Sequence, residues 1–316
     1  MHIVISDDHQ DCIRHLACFE KLSSHTVKIY SNTVSGTEAL VERFKDADAI
    51  VLIRERTEIT KELLDLLPKL KVISQTGKIA SHVDLEACKA KGIIVMDGQG
   101  SGAATAEMNM LLILAALRRL VEEAARMKSG QWQGYLGDQL SGKVLGVFGF
   151  GRIGKQVCHL GKAFGAKPLV WGRESSLKKA QEDGFMIAAS KEEFFSNSDI
   201  VCLQLRLNEE TRHIVTAQDL GLMKSTSLLV NASRAELIES GALEAALKKG
   251  RPAYAAVDTY ESEPILGADH PLLHLSNCLC TPHIGFVERD NYEAYFGIAF
   301  DNINAYAAGS PQNCVS

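Results

Sequence analysis

The sequence of 316 residues has eight cysteines, but it contains no CxxC pair and no Cys/His spacing that suits a structural zinc ion. Its seven prolines and 25 glycines follow no fixed period, which excludes collagen-like and low-complexity chains. Basic residues do not predominate, because 34 Lys and Arg face 39 Asp and Glu for a formal net charge of −5. This balance argues against a protein that binds the phosphate backbone of nucleic acids, although it leaves room for a local cationic pocket.

Long hydrophobic runs are absent as well. The most apolar stretch, residues 108–117, contains Asn109 and is too short to cross a bilayer, so we expect a buried helix and no membrane partner. Residues 1–10 carry no basic segment, and we expect no signal peptide. Several cysteines, among them Cys158 and Cys202, lie inside apolar runs as small core residues. Reduced thiols favour a cytoplasmic location, and we expect no bound metal.

What the chain does contain is 46% hydrophobic residues, arranged in short apolar runs that alternate with helical patterns. Such alternation predicts parallel sheets with helices on both faces. In the first third of the chain, strands are predicted at residues 2–6, 49–53, 72–74 and 92–95, and helices at 37–44, 60–67 and 85–91. A glycine-rich hinge at 98–102 leads to a long apolar helix at 104–128 and a polar stretch at 129–142. A second series places strands at 143–148, 168–171, 199–203, 227–230, 254–257 and 278–280, before a helical tail at 288–307.

The second series opens on a strand, the pattern G-x-G-x-x-G and a helix. Gly149 permits the tight turn, Gly151 lets the backbone approach a pyrophosphate, and Gly154 lets the helix pack close to the strand. The helix N-terminus, with the amides of Arg152 and Ile153, offers unpaired N–H groups and a positive dipole end to phosphates. Followed by five more strands, the loop predicts a dinucleotide-binding Rossmann domain.

The end of the next strand indicates which dinucleotide is preferred. NAD-binding proteins place an Asp or Glu there, on the ribose hydroxyls. Here Gly172 takes that position, and Arg173 with the hydroxyls of Ser175 and Ser176 suits a ribose 2′-phosphate. We therefore favour NADP. NAD stays open as the alternative, because Glu174 reaches the ribose hydroxyls if the turn is shifted by two residues.

Three later segments carry a family resemblance. They are Asn231-Ala232-Ser233-Arg234, Asp258-Thr259-Tyr260-Glu261-Ser262-Glu263-Pro264 and Thr281-Pro282-His283-Ile284-Gly285. In this order after the glycine loop, and with residues 104–107, 198–201 and 210–212, the chain resembles the D-isomer-specific 2-hydroxyacid dehydrogenase family over nearly its whole length. The resemblance implies an NAD- or NADP-dependent oxidoreductase. Such an enzyme transfers a hydride between nicotinamide and C2 of a small D-2-hydroxy acid or 2-keto acid.

By this resemblance, three side chains do the chemistry. Arg234 is the cation that holds the substrate carboxylate and polarises its carbonyl. His283 is the acid–base group, since imidazole titrates near neutral pH. Glu263 orients His283 and favours its protonated form through a neighbouring negative charge. Each follows a predicted strand, and doubly wound sheets place ligands at the carboxyl ends of their strands.

The resemblance also implies the remaining contacts. Besides the glycine loop, the expected cofactor-binding residues are Thr105, Arg173, Ser175, Leu205, Ala232, Ser233, Asp258 and Gly285. Gly77 and Lys78 stand where the family cradles the substrate carboxylate. Lys78 departs from the family pattern; either it offers a charge for a second anionic group on the substrate, or it points to solvent. Arg54 and Arg56 follow a predicted strand; they are interpreted as surface residues, with a place at the rim of the cleft as the alternative.

Two further departures lie near the expected cofactor. Ala235 follows Arg234 where the family prefers glycine, and residues 204–206 replace the family's His-x-Pro, which leaves the nicotinamide contacts open. A dinucleotide-sensing, corepressor-like binding protein on the same fold is the alternative function. The presence of Arg234, Glu263 and His283 together favours the enzyme.

We predict an α/β architecture of two doubly wound domains with parallel sheets, one flavodoxin-like and one Rossmann, with a cleft between them. The substrate domain comprises residues 1–100 and 288–316, and the dinucleotide-binding domain, residues 101–287, is inserted into it. The helix region 104–120 is too apolar for a lone surface helix. By the family's counterpart, it implies a homodimer interface.

Overall fold

The computed structural model describes residues 1–100 and 102–315; Ser101, within the predicted hinge, and Ser316 lie outside the described residues. The chain forms two compact units, Met1–Ser101 with Val287–Ser316 and Gly102–Phe286. In sequence, the second unit is therefore an insertion into the first.

The first unit contains a parallel sheet of five strands. They are β1 (His2–Ile5), β2 (Thr26–Ile29), β3 (Ala49–Ile53), β4 (Val72–Thr76) and β5 (Ile94–Met96). Their order is β2-β1-β3-β4-β5, which is the flavodoxin-like arrangement. Every residue of β3 and β4 is buried, as expected for central strands covered on both faces. The sequence did not predict β2, because its alternating polar and apolar residues lie at the edge of the sheet.

Helices cover this sheet, and two of them begin on side-chain caps. The connecting helices are α1 (Thr37–Phe44), α2 (Lys61–Asp65) and α3 (Leu85–Ala90), with short 3-10 turns at Ile13–His15 and Ala17–Leu22. The Thr60 hydroxyl accepts from the Leu63 amide at 3.2 Å, and the Asp84 carboxylate accepts from the Ala87 amide at 2.9 Å. These caps satisfy amides that have no partner within the helix.

The second unit contains a parallel sheet of seven strands. In chain order its elements are α4 (Ala103–Leu117), α5 (Leu120–Lys128), β6 (Val144–Phe148), α6 (Arg152–Ala163), β7 (Lys167–Trp171), α7 (Glu174–Glu182), β8 (Met186–Ile187), α8 (Lys191–Asn197), β9 (Ile200–Leu203), α9 (Ala217–Leu222), β10 (Leu228–Asn231), α10 (Ala242–Lys248), β11 (Tyr254–Val257) and β12 (Cys278–Cys280), with 3-10 turns at Ala235–Leu237 and Pro271–His274. The chain then returns to the first unit as α11 (Arg289–Ala307).

The strands of this sheet lie in the order β12-β11-β10-β9-β6-β7-β8, and all are parallel. From β6 the chain moves outward to β7 and β8, and it then returns beside β6 as β9 and moves outward in the opposite direction to β12. That reversal is the Rossmann switch point, where doubly wound sheets bind ligands. The prediction of two parallel-sheet α/β domains is confirmed. The prediction of six strands in the second series is one too few, because β8 has only two residues and lies at the edge.

The single helix predicted at 104–128 is wrong, because α4 and α5 are separated at Arg119. This residue has a φ of +50°. Its guanidinium lies over the rings of Tyr135 and Tyr254, 4.8 and 4.3 Å from their centroids, and its Nε is 3.0 Å from the Glu122 carboxylate. Residues distant in sequence therefore stabilise the break.

Packing on one face of the second sheet is dense around three aromatic rings. Phe194 and Phe195 are fully buried and meet Phe148 edge to face, with centroids 5.6 and 6.3 Å away. Where Gly146 passes Ser198, a Cβ on the glycine would collide with the serine hydroxyl. This packing fixes β6 in register with β9 and holds the strand ends that border the switch point.

The Asp199 carboxylate binds the first residue of β6, at the amino-terminal end of this strand. The carboxylate accepts from the Val144 amide at 2.8 Å and from the Lys224 ammonium at 2.7 Å. Burial alone would raise the pKa of this carboxyl, but these two donors outweigh burial, and the pKa lies below its ordinary value of 3.8.

Replacing Asp199 by Asn is expected to lower the free energy of unfolding near neutral pH by about 1–3 kcal/mol, since Lys224 loses its anionic partner. Because folding lowers the carboxyl's pKa, the contribution of Asp199 is present above the ordinary value of 3.8 and is lost as the pH falls through the folded pKa. Urea unfolding of both proteins from about pH 3 to pH 7 measures the effect. The difference should shrink towards acid; a constant difference, or the same loss in the exposed Asp269→Asn control, contradicts this role.

Candidate active site

The glycine loop joins β6 to α6 with little room for side chains. Gly149 has a φ of +104°, and a Cβ there would lie 2.5 Å from the carbonyl oxygen of Gln204. A Cβ on Gly154 would collide with the carbonyl oxygen of Gly149, so α6 packs against the strand end only because that side chain is missing. Around Gly151, by contrast, the space is open to 4 Å, and α6 begins at the next residue. Open backbone at a helix N-terminus fits the pyrophosphate of a dinucleotide.

The start of α4 lies against this loop. A Cβ on Gly102 would be 3.1 Å from the Nε of Arg152 and 3.2 Å from the Cγ1 of Ile153. Thr105, in the first turn of α4, is half-buried. The structure therefore brings these three predicted cofactor residues to one region of the second unit.

A buried amide connects α4 to the end of β9. The Asn109 side chain accepts from the Gln204 amide at 2.7 Å and from the Cys202 thiol at 3.1 Å, and it donates to the Thr105 carbonyl at 2.7 Å. Leu205 follows, with its Cδ2 2.9 Å from where a Cβ on Gly149 would lie. Sequence reasoning missed Asn109 as a positioning residue; its signal was a single amide within an apolar run.

The end of β7 carries the residues predicted to select the dinucleotide. A Cβ on Gly172 would make ordinary contacts with Gly149, 3.7 Å from its Cα, so a side chain at 172 would lie beside the glycine loop. Arg173 is the residue before α7, and its exposed side chain makes no ion pair among the described residues. Glu174 and Ser175 are also exposed. Arg173, the candidate for a ribose 2′-phosphate, and Glu174, the candidate for the ribose hydroxyls, are therefore both accessible.

His283 and Glu263 form a close pair. The His283 Nδ1 lies 2.5 Å from the Glu263 Oε2, and the other carboxylate oxygen accepts from the Tyr260 amide at 2.9 Å. Both side chains are mostly buried, at 18% and 23% exposed. The ring edge of Phe286 packs on His283 with centroids 5.4 Å apart. Nδ1 is therefore engaged by the carboxylate, and Nε2 is the ring nitrogen that is not.

Asp258 fixes the loop that carries His283. Its carboxylate accepts from the Thr281 hydroxyl at 2.6 Å and from the amides of Ile284 and Gly285 at 2.9 and 2.7 Å. Burial raises the pKa of Asp258, against the lowering effect of these donors. A Cβ on Gly285 would be 2.9 Å from the Asp258 Oδ2, so the close approach needs a glycine. Predicted as cofactor-binding residues, Asp258 and Gly285 are seen here holding one another.

Arg234 follows β10 in a loop braced by Asn231. The Asn231 side chain donates to the Arg234 carbonyl at 2.8 Å and accepts from the Ser233 amide at 3.1 Å. The Ser233 hydroxyl donates to the Leu203 carbonyl at 2.8 Å, and Ala232 is buried in the core. These bonds set the backbone from which Arg234 projects. Strands β10, β11 and β12 are parallel neighbours, so their carboxyl ends lie on the same side of the sheet. The segments that carry Arg234, Glu263 and His283 follow these carboxyl ends.

In the first unit, Gly77 follows β4 with a φ of +87°. Lys78 is ion-paired, with its Nζ 2.7 Å from the Asp97 carboxylate, so its charge is already partly compensated. The guanidinium of Arg54 occupies the space that a Cβ on Gly77 would need, and its side chain is 18% exposed. Arg56 donates to the Asp7 carbonyl at 2.8 Å and is half-buried too. The interpretation of Arg54 and Arg56 as surface residues is therefore wrong, because both are packed at strand ends.

Two structural features are absent from the described residues, 1–100 and 102–315. No group of three or more His, Cys, Asp or Glu side chains is arranged to hold a metal ion in that part of the chain. Within the same residues, no helix is long and apolar enough to cross a membrane.

Comparison with known proteins places this geometry in a family. Residues 110–285 match the family described as D-isomer specific 2-hydroxyacid dehydrogenase, NAD binding domain. A glyoxylate reductase from Aeropyrum pernix is 35% identical over 291 residues, covering 88% of this chain and 86% of the relative. A D-3-phosphoglycerate dehydrogenase from Methanocaldococcus jannaschii is 34% identical over 311 residues, but the chain spans only 57% of that protein's length.

A solved structure shares the whole fold. The phosphoglycerate oxidoreductase from Vibrio cholerae O395 superimposes with a TM-score of 0.95 at 48% identity, covering 98% of this chain and 99% of that one. The match extends over both units. The chain belongs to the D-isomer specific 2-hydroxyacid dehydrogenase family, enzymes that act on a CH–OH group with NAD or NADP as acceptor.

Proposed function

We propose that the protein interconverts a small D-2-hydroxy acid and its 2-keto acid, with His283 as acid–base group, Glu263 as its partner and Arg234 as the carboxylate-binding cation. The observation that carries the proposal is the pair of His283 and Glu263 at 2.5 Å. A carboxylate at Nδ1 fixes the orientation of the imidazole ring. That arrangement suits a group that delivers a proton to a carbonyl oxygen and takes it back in the reverse direction.

The bound nicotinamide would donate the hydride to, or accept it from, C2 of the substrate. The chain itself then has two tasks at that carbon. His283 supplies the proton to the developing alkoxide from Nε2, while Arg234 holds the substrate carboxylate and stabilises negative charge on the reacting oxygen. The planar guanidinium suits a carboxylate because it donates two parallel hydrogen bonds. The Asn231 brace keeps the Arg234 backbone in place for this contact.

The residues proposed for the cofactor are those of the second unit. The pyrophosphate would lie at Gly149, Gly151, Arg152, Ile153 and Gly154, with Arg173 and Ser175 at the adenosine ribose. Thr105, Leu205, Ala232, Ser233, Asp258 and Gly285 complete the proposed cofactor set. The open backbone at Gly151 and the N-terminus of α6 support it.

The first unit is proposed to be the substrate domain, through Gly77 and Lys78. The positive φ of Gly77 turns the backbone directly after β4. Glyoxylate, hydroxypyruvate and phosphoglycerate-type acids are the candidate substrates, after the names of the relatives. A cytoplasmic location fits the eight free thiols. A corepressor-like role would need no preserved acid–base pair and is not favoured.

Replacing His283 by Ala is expected to lower kcat about 10²- to 10⁴-fold with a panel of 2-keto acids, while cofactor still binds. Glu263→Gln should lower kcat less, because the imidazole stays in place and loses only the carboxylate that orients it. Steady-state NAD(P)H oxidation measures kcat, and fluorescence titration measures cofactor binding, so a loss of turnover is distinguished from a loss of cofactor.

The matched control is His270→Gln, because His270 also contacts a carboxylate, Glu261 at 3.2 Å. This variant should keep nearly full turnover. If His283→Ala retains its rate, His283 is not the proton donor. If the wild type turns over no 2-keto acid with either cofactor, the proposed reaction itself is wrong.

We further propose NADP as the preferred cofactor, because Gly172 takes the position where NAD enzymes place a carboxylate, and the next residue, Arg173, is exposed and makes no ion pair among the described residues. Arg173→Ala is expected to raise the KM for NADPH about tenfold and to leave NADH nearly unchanged, since a charge-assisted hydrogen bond is lost. Gly172→Asp should shift preference towards NADH, because ordinary contacts there leave room for a side chain.

The control for these variants is Lys178→Ala, which removes an exposed cation from the same helix. It should change neither cofactor's KM. Equal losses for NADH and NADPH in Arg173→Ala would overturn the 2′-phosphate assignment and leave Glu174 as the ribose contact.

The protein is also proposed to form a homodimer through the helix region 104–120. Much of α4 is buried within its own unit, including Leu112 and Ile113, so its apolar composition alone is not the argument. The support comes from its exposed apolar residues, because Leu111 and Leu120 are each 54% exposed. Further exposed apolar side chains follow in sequence, among them Met127, Trp132 and Leu136.

The double variant Leu111→Lys and Leu120→Lys is expected to convert a dimer to a monomer in analytical ultracentrifugation, because charged side chains would be buried without partners. Leu266→Lys is the control, since Leu266 is 72% exposed but lies outside this region. A wild type that sediments as a monomer, or a double variant that stays dimeric, contradicts the interface.

A further inference from the structure

Two thiols face one another on the edge strand β12. Cys278 and Cys280 are separated by one residue, so they point to the same side of the strand. Their sulfur atoms are 3.7 Å apart. Both are half-buried, unlike Cys18, Cys88 and Cys158, which are fully buried. The pair is therefore close, and neither residue is fully buried.

The chemistry of the two sulfurs is unequal. The pKa of Cys280 is lowered, chiefly by its contact with the Cys278 sulfur and also by the neighbouring Tyr260 hydroxyl, although burial opposes this. The pKa of Cys278 is raised by its neighbour Cys280 and by burial. Elsewhere, burial raises the pKa of Cys12 to about 11 and that of Cys202 to about 12. Thiolate character, and with it reactivity towards oxidants, is concentrated at Cys280.

The thiols also border the proposed acid–base pair. Thr281 follows Cys280 directly, and its carbonyl accepts from the Tyr260 hydroxyl at 3.0 Å. The Tyr260 amide in turn holds Glu263, which holds His283. A change in the position of Cys280 would therefore displace His283 by two routes. One is the backbone through Thr281, and the other is the set of Tyr260 contacts with Thr281 and Glu263.

We propose that Cys278 and Cys280 are an oxidation site, at which a hydroperoxide converts the dithiol to an intrastrand disulfide and thereby slows hydride transfer. The disulfide rests on the thiol geometry; its effect on turnover rests on the proposed function. Cys12 and Cys314, the other two cysteines that are not fully buried, have no sulfur of another cysteine within bonding range among the described residues.

The reaction balances in two steps. The Cys280 thiolate attacks the peroxide, which breaks the O–O bond, gives a sulfenic acid and releases water or an alcohol after protonation. The Cys278 sulfur then attacks the sulfenic sulfur; the S–S bond forms, the S–O bond breaks, and the hydroxide leaves with the Cys278 proton as water. Two thiols lose two electrons in total, and the peroxide gains them.

Closing this bond must distort β12. Residues i and i+2 of an extended strand are about 6.6 Å apart at Cα. Disulfides span at most about 6.8 Å and need the sulfurs about 2.05 Å apart. The sulfurs must therefore approach from 3.7 Å, which pulls on the strand end that leads into Thr281. A strained bond of this kind is readily reduced again, so the effect is reversible by a thiol.

The test uses the full-length chain with Cys12→Ser and Cys314→Ser, which removes the two remaining thiols that are not fully buried. Stoichiometric hydrogen peroxide should produce a peptide containing residues 278–280 that has lost two hydrogen atoms in tandem mass spectrometry. Turnover should fall about 10- to 100-fold, as expected for a displaced catalytic group, and dithiothreitol should restore it.

Cys278→Ala and Cys280→Ala, made singly in this background, should retain turnover under peroxide. A missing 278–280 linkage overturns the oxidation site whatever the activity. A linkage with unchanged turnover overturns the effect on hydride transfer, as does equal inactivation of the single variants. If the reduced protein has no turnover at all, the proposed function fails while the mass measurement still decides the disulfide.

Discussion

The buried carboxylate of Asp258 is the interaction on which the candidate site depends. Asp258 directly follows β11, and its carboxylate accepts three hydrogen bonds from residues 281–285, so one side chain defines the path of the loop that follows β12. Burying a carboxylate is costly unless donors surround it, and here a hydroxyl and two amides do so. His283, with a φ of +50°, lies within this loop. Without the anchor at Asp258, the histidine would have no fixed position relative to Glu263.

A second constraint shapes the glycine loop proposed to bind the cofactor: there is no space for side chains where β6 meets α6. Side chains are excluded at Gly149 and Gly154, while the backbone at Gly151 stays open. The Gln204 carbonyl closes over Gly149, and Gln204 is itself held by Asn109. A buried amide on α4 therefore supports the loop at the switch point. This arrangement substitutes a glutamine for the histidine common in the family and keeps a polar contact beneath the loop.

The sequence predicted what local patterns encode. Runs of apolar residues marked the central strands, and the glycine spacing marked the loop, because both depend on neighbours in the chain. The break at Arg119, the packing of Arg54 at Gly77 and the pairing of Lys78 with Asp97 depend on residues distant in sequence, so no local pattern announces them. The family resemblance named His283 and Glu263, but the tie through Tyr260 came only from the structure.

The placement of His283 after an edge strand has its own consequence. In the described sheet, β12 pairs with β11 alone, so its hydrogen bonds resist displacement from one side only. Strand edges open more readily than central strands, because fewer backbone contacts hold them. The loop after β12 is therefore secured by side chains, through Asp258 and Tyr260, more than by the sheet. A chemical change at Cys278 and Cys280 acts on an edge strand of the unit, and this strand leads directly to His283, the proposed acid–base group.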